Sequence, residues 1–547
     1  MRRLICATLF VFGGILAMVN PFCCDLATAA ERPNILIAIA DDQSYPHTSA
    51  YGDPVIKTPA FDRVARSGVL FRNAFTPAPG CSPMRAAFLT GREIWQIREA
   101  GTHASTFPRD LPVFTEQLAS AGYHVGMTGK GWSPGNAADW PHNPAGKGYS
   151  SRQIPAADRI KGIRSNDYAG NFEEFLKDRS DDQPFCFWFG SSEPHRTYKK
   201  GVGAEHGIDP AKVRMPGFLP DSREVRSDVA DYLFEIQWFD QHLGRMLDQL
   251  AESGELENTL VIVTSDNGMP FPRAKANLYE FGIHMPLAIA WPAKVPAGQD
   301  TDELVSLLDV TRTIFDATTV KPKQADQLSG RSLLSRIGSE TDKVLPPREA
   351  VFSGRERHSS SRYSSLGYPC RCIRTPTHLY IRNFTPERWP AGTPQKYSRA
   401  KYDTDGHLVS SELGPEYGGY HDIDNGPTLQ WMIAHRAEPQ VGVLLDAAVA
   451  KRPAEELFDI TKDPDCLRNL AAESSSKEVK ERLSEMLTDY LTRTGDLRQT
   501  DPKAGQVWET YQRVSSLRWF PIPDWAKENP NRVPEQPWLE ARRPRSK

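Results

Sequence analysis

Cysteine is scarce in this 547-residue chain, and what there is falls awkwardly: of eight, Cys6, Cys23 and Cys24 lie in the first thirty residues, leaving Cys81, Cys186, Cys370, Cys372 and Cys466. An odd number of thiols spread this widely makes no disulfide framework, and a chain of this length needs none. Cys370 and Cys372 have no second pair at metal-finger spacing, which excludes a structural zinc site and leaves them inert or joined to each other. An excess of one charge is missing too. The 66 basic residues balance 69 acidic ones, no long block of like charge occurs, and a non-specific nucleic-acid binder is excluded. Neither an internal repeat nor a composition typical of disorder is present.

What is present begins with a leader. Met1-Arg2-Arg3 gives a positive start, Leu4 to Val19 an apolar run, and "DLATAA" a small-residue cleavage pattern, the three parts of a secretory signal peptide over residues 1–30. The run is short for an uncleaved anchor. The mature chain is therefore expected to be exported, to the periplasm or the medium, without stable membrane insertion.

After the leader, buried runs alternate with amphipathic stretches. "NILIAIADD", "YHVGMTG", "PFCFWFG" and "NTLVIVTSDNG" read as strands covered on both faces. "TPAFDRVARSG" reads as a helix with Thr58 as its cap and Pro59 at its first position. Val225 to Leu250 carries the longest helical period. Repetition of strand, helix and strand predicts an α/β domain with a large, mainly parallel sheet over residues 31–362. From about residue 360 the runs shorten and alternate, predicting a smaller α+β domain with an antiparallel sheet over residues 363–547. Residues 384–440 read as a long loop, and the last fifty as a surface wrap.

In parallel sheets ligands gather beyond the carboxyl ends of the strands, where "DD", "TGK", "SSEPH" and "SDNG" all fall. Asp41, Asp42, Asp266 and Asn267 are oxygen donors at two such ends. On neighbouring strands they would repel one another unless a hard cation such as calcium or magnesium joined them; alone, each pair would more often cap a turn. Arg85, Lys130, His195 and Lys275 are further candidates, with His103, His124 and His142 behind them. "GMTGKG" is no phosphate loop, because His124 stands where the first glycine belongs and Gly131 where Ser or Thr belongs. His195, just beyond a strand, is placed for general-acid work.

"CSPMR" contains Cys-x-Pro-x-Arg, and with "AAFLTGR" it resembles the signature of the type I sulfatases of the alkaline-phosphatase-like superfamily. "RPNILIAIADDQ", "GYHVGMTGK", "TLVIVTSDNG" and "EELFDITKDPDCLRNLA" extend the resemblance along most of the chain. It implies that a maturation enzyme converts Cys81 to formylglycine, whose aldehyde hydrate is the nucleophile. One geminal hydroxyl would attack sulfur, and the other would then collapse to the aldehyde and eject sulfate. The same resemblance implies that Asp41, Asp42, Asp266, Asn267 and the modified Cys81 hold calcium. It further assigns Arg85 to the hydroxyls at residue 81, Lys130 and Lys275 to the sulfate oxygens, and His195 to the leaving group.

In one place the chain departs from the family pattern. Trp132 stands two residues after Lys130, where many members carry a histidine that assists the hydrate; His103 is the first-ranked substitute, ahead of His124 and His142. "SDNGMPFPRAKANLYEFG" and "SEPHR" are most similar to the heparan N-sulfatase (sulfamidase) branch. That implies a sulfated-glycan substrate bearing N-sulfated glucosamine, with O-sulfated glycans as the alternative. Arg196, Tyr198 and the aromatic-rich 384–440 loop are either sugar contacts or surface packing, which is at least as common a use of such residues. A phosphoryl-transfer enzyme of the superfamily and a non-catalytic sulfated-glycan binder are the remaining readings.

Overall fold

The computed structural model describes residues 32–338, 346–402, 408–514 and 518–528, so the leader expected over residues 1–30 lies outside the described residues. Eight strands form the main sheet: β1 (Asn34–Ala40), β2 (Val69–Phe75), β3 (His124–Gly129), β4 (Lys147–Gly148), β5 (Phe185–Gly190), β6 (Thr259–Ser265), β7 (His284–Ala290) and β8 (Gln299–Ser306). Their order is β4-β3-β5-β1-β6-β7-β2-β8, and every pairing is parallel except those of β7 with β6 and β2. β1, β5 and β6 are buried at every position because helices cover both faces, which is why they read as unbroken apolar runs.

Register decides what meets at the carboxyl edge. Ala40 of β1 pairs with Ser265 of β6, so Asp41 and Asp266 emerge side by side. Gly129 of β3 pairs with Gly190 of β5, which brings Lys130 beside the start of the "SSEPH" segment. The long helix spans Arg223–Glu252. Helix Pro59–Ser67 forms as expected, but not by the expected cap: Thr58 pairs with Ser49, and Asp240 of the long helix accepts from the amides of Ala60 (2.9 Å) and Phe61 (2.8 Å). A carboxylate from a neighbouring helix has taken the orphan amides that a local hydroxyl would otherwise satisfy.

The smaller sheet has the order β14-β11-β10-β9, all antiparallel, from β9 (Val351–Arg355), β10 (Cys370–Arg374), β11 (His378–Asn383) and β14 (Glu455–Asp459). β9 precedes the division expected at 362/363 and β10, β11 and β14 follow it, so this sheet takes strands from both sides of that division. Nor are residues 384–440 one loop, since they hold the paired strands β12 (Tyr397–Tyr402) and β13 (Leu408–Leu413) and helix Pro427–Ala434. Of the last fifty residues, those described place Trp508 in the main core and Glu509 in an ion pair with Arg388. All five cysteines of the described residues are free and buried, Cys370 and Cys372 included. No helix among the described residues is long and apolar enough to cross a membrane.

Candidate active site

Cys81 is the first residue of helix Cys81–Thr90, whose ten residues are all buried. The helix delivers Arg85 one turn on, facing the β1 and β6 ends. There Arg85 Nε donates to Asp266 Oδ2 at 2.7 Å, and Nη1 donates to the Lys130 carbonyl at 2.6 Å, while Nη2 is buried with no hydrogen-bond partner. Close approach of β5 makes this possible. A side chain at Gly190 would strike the Lys130 carbonyl at 1.8 Å and Arg85 Nη1 at 3.0 Å.

Each acid of the group has a cation. Lys130 Nζ lies 2.6 Å from Asp41 Oδ2, and Lys275 Nζ lies 2.6 Å from Asp42 Oδ2 and 2.9 Å from Asp424 Oδ2. Burial would raise Asp41, but Lys130, His195 and Arg85 outweigh it and hold the carboxyl well below its usual range. Burial wins at Asp42, which is pushed up to about 6 against the pull of Lys275 and His195, with Asp41 and Asp424 adding repulsion. Asp42 also adopts a left-handed backbone (φ 77°), a sparsely populated region for a side-chain-bearing residue, where its amide donates to Asp266 Oδ1 at 3.0 Å.

A cation fits this arrangement. Carboxylate oxygens of Asp41, Asp42 and Asp266 lie within 4.8 Å of one another. Asp41 Oδ1 and Asn267 Oδ1 are buried acceptors without a donor, and Asn267 turns its amide nitrogen the other way, to Asp42 Oδ1 at 2.7 Å. Unpartnered buried oxygens are costly, and an all-oxygen set of this kind suits a hard divalent ion such as calcium. A second grouping, Asp42, His195 and Asp424, already has the Lys275 ammonium between its two carboxylates, which argues against the two-metal phosphoryl-transfer arrangement.

Of the three histidines offered as substitutes, one reaches the thiol. His103 Nε2 lies 3.3 Å from Cys81 Sγ, and its ring stacks on His358 with centroids 4.4 Å apart. His124 lies at the opposite end of β3, stacked on Phe175, and His142 bonds the Asn143 carbonyl in an exposed turn. Burial first, then the positive charges around it and His358, hold His103 well below its ordinary value, so its imidazole is neutral. Trp132 is packing. Its indole N–H donates to the Ser82 carbonyl at 3.0 Å and its ring meets Phe107 edge-on. Burial also pushes the Cys81 thiol up to about 11 despite Lys130, the opposite of an activated thiolate.

His195 Nδ1 lies 2.6 Å from the Arg196 carbonyl. A carbonyl only accepts, so Nδ1 carries a hydrogen and Nε2, 3.9 Å from Asp42 Oδ2, is left to hold or move a proton. Arg196 is not placed as a sugar contact. Its side chain is 4% exposed, gripping both oxygens of Asp228 at 2.8 and 2.7 Å and the Pro270 carbonyl, which together engage all three of its nitrogens. Tyr198 likewise spends its hydroxyl on the Pro194 carbonyl.

Sequence reasoning missed Asp424 altogether. It stands in "HDIDNG" within the stretch read as a loop, and only tertiary folding brings it to Lys275. Its neighbour Asp422 is the anchor: it takes Arg355 and Arg362 (2.6 Å) and the Ser359 and Ser361 hydroxyls, while Thr428 beyond it bonds Asp228.

The carboxyl edge of this mixed, mostly parallel sheet thus gathers a buried thiol, acids and cations in one place. Residues 33–320 match the Sulfatase family, and the chain belongs to that family of sulfuric-ester hydrolases. It is 28% identical over 517 residues to human N-sulphoglucosamine sulphohydrolase, covering 87% of this chain and 94% of the relative. It is 24% identical over 417 residues to the N-acetylglucosamine-6-O-sulfatase of Bacteroides thetaiotaomicron, covering 59% and 74%. Among solved structures, one in complex with its substrate D-glucosamine-2-N,6-O-disulfate superposes with a TM-score of 0.57, at 18% identity, over 86% of this chain and 99% of that one. That last likeness is one of fold.

Proposed function

We propose that this chain is an exported, formylglycine- and calcium-dependent sulfatase that removes the N-sulfate of glucosamine units in sulfated glycans, its catalytic unit preceding the small antiparallel sheet. The observation that carries the reading is the setting of Cys81: a buried helix start on which Arg85, Lys130, Lys275, the oxygen-donor group and His103 converge. Similarity along nearly the whole length of a relative named for N-sulphoglucosamine supports the substrate. O-sulfated glycans are the second reading, favoured by the likeness to a 6-O-sulfatase.

Calcium held by Asp41, Asp42, Asp266, Asn267 and an oxygen at position 81 would supply positive charge against the sulfate. Formylglycine at position 81, as its hydrate, would supply an oxygen nucleophile that can be freed of sulfate without a second attack at sulfur. Everything else is the work of this chain's side chains. Arg85, whose Nη2 has no other hydrogen-bond partner, orients the hydroxyls at position 81. Lys130 and Lys275 neutralise the sulfate oxygens, the largest electrostatic task in the reaction. His195 Nε2 gives its proton to the departing atom, and neutral His103 Nε2 accepts the proton from position 81. Arg196 and Asp228 fix the loop under His195 rather than touching sugar.

The experiment is sulfate release from N-sulfated and 6-O-sulfated glucosamine by protein co-expressed with a formylglycine-generating enzyme. Release from the N-sulfated sugar that vanishes in Cys81→Ala supports the proposal. Release from O-sulfates alone rejects the substrate, and release that survives in Cys81→Ala rejects the nucleophile.

A further inference from the structure

The rim of the site carries a carboxylate whose purpose the sulfate does not explain. Asp424 is 29% exposed at its side chain and His195 35%, whereas Asp42 beneath them is fully buried. Candidate ligand atoms of the three lie within 4.8 Å of one another. Lys275 already has a buried counter-ion in Asp42 at 2.6 Å, so Asp424 is surplus to neutralising it. A carboxylate facing the entry of an anionic substrate is a penalty. It persists in a fixed place, because its loop is clamped by the Asp422 contacts on one side and by Thr428 on Asp228 on the other.

The chemistry of the leaving group resolves this. When a sulfate ester is hydrolysed, the S–O bond to the sugar breaks and a neutral alcohol leaves; the net reaction with water gives alcohol, sulfate dianion and a proton released to solvent. When a sulfamate is hydrolysed, the S–N bond breaks and the nitrogen takes up protons. The net reaction with water gives an ammonium and a sulfate dianion, with no proton released. Only the second reaction builds a cation on the sugar, and it builds it on the atom that receives the His195 proton.

We infer that Asp424 is a specificity-determining residue that receives the nascent ammonium of the sugar and so favours amine over alcohol leaving groups. The inference rests on the assignment of His195 to the leaving atom. A carboxylate within 4.8 Å of that ring stabilises the charge as it forms, and a charge developing in the transition state is where a fixed counter-charge acts on rate. For an alcohol product the same carboxylate offers one hydrogen bond and no charge pairing.

Asp424→Asn, which keeps the shape and removes the charge, tests this against N-sulfated and 6-O-sulfated glucosamine side by side. The ratio of kcat/KM for N- over O-sulfate should fall by about 10- to 100-fold, the scale of losing one charge-assisted contact in a sheltered site, and Asp424→Glu should restore part of it. A merely structural role, or one confined to holding Lys275, would lower both substrates alike, and an unchanged ratio overturns the inference. Should the variant fail to fold, calorimetry on the wild-type chain still decides, without turnover. Glucosamine should bind at least about tenfold more tightly than N-acetylglucosamine, and equal affinities would overturn the assignment. A wild type that hydrolyses only O-sulfates would reject the substrate reading and this inference together; N-sulfatase activity with an unchanged ratio would reject this inference alone.

Discussion

His103 Nε2 lies 3.3 Å from Cys81 Sγ, and no other histidine of the described residues hydrogen-bonds that thiol. The position two residues after Lys130, where a histidine was expected, holds the indole of Trp132 turned to the Ser82 carbonyl. The histidine beside the thiol thus comes from the segment following helix Cys81–Thr90 and not from the end of β3, and its partner ring is His358.

If His103 takes the proton from position 81, His103→Ala should slow sulfate release by about a hundredfold, the scale of one general base. Release of the desulfated sugar in the first turnover should be affected far less. Rapid-quench kinetics with separate readouts for sugar and sulfate check this; an equal slowing of both would place His103 elsewhere.

If a cation joins Asp41, Asp42 and Asp266, whose carboxylate oxygens converge within 4.8 Å, removing it should cost stability as well as activity. A chelator is expected to lower the melting temperature, and calcium to restore it. Asp266→Ala should bind less calcium by elemental analysis; full retention would move the site. Asp266 also accepts Arg85 at 2.7 Å, so this variant should lose activity beyond what added calcium can recover.

These elements were legible in unequal measure. β1 and β6 showed themselves as apolar runs ending in acids, since a strand covered on both faces leaves no other pattern, whereas their adjacency and the pairing of Ala40 with Ser265 came only with the fold. Cys81 and Arg85 were legible because they share one helix. Asp424 was not: it lies 149 positions from Lys275, on a loop whose place is set by the burial of Asp422 among arginines and serines. Arg196 misled for the same reason. A basic residue beside His195 looks like a substrate contact until the long helix supplies Asp228.

Acid should unfold the protein through its buried histidines. Burial, the leading cause in each case, lowers His47, His242 and His421 to about 4 from an ordinary 6.5. Their folded values lie below the unfolded one. The stability they contribute is therefore complete above pH 6.5 and is lost as pH falls through 4. Thermal melts should drop steeply across that window, and His242→Phe should flatten the slope; a flat profile in the wild type would contradict these assignments.

Arg371 is fully buried between Asp496 at 2.7 Å and Glu356 at 2.6 Å, tying the small sheet to the segment after helix Lys477–Arg493. Arg371→Ala would leave buried Asp496 without its cation and Glu356 with Arg498 alone, a loss of about 3–5 kcal/mol. Denaturant unfolding of the variant measures it. A loss under about 1 kcal/mol, the worth of a surface pair, would show the site to be wetter than its contacts indicate.

On the proposed mechanism Cys81 does not act as a cysteine. Mass spectrometry of the peptide containing residue 81, from protein matured with its converting enzyme and shown to release sulfate, tests it most directly. The expected result is the mass of an aldehyde in place of the thiol, trapped by a hydrazide and rising in proportion to activity across preparations. Full activity in protein whose residue 81 is entirely an unmodified thiol would contradict it.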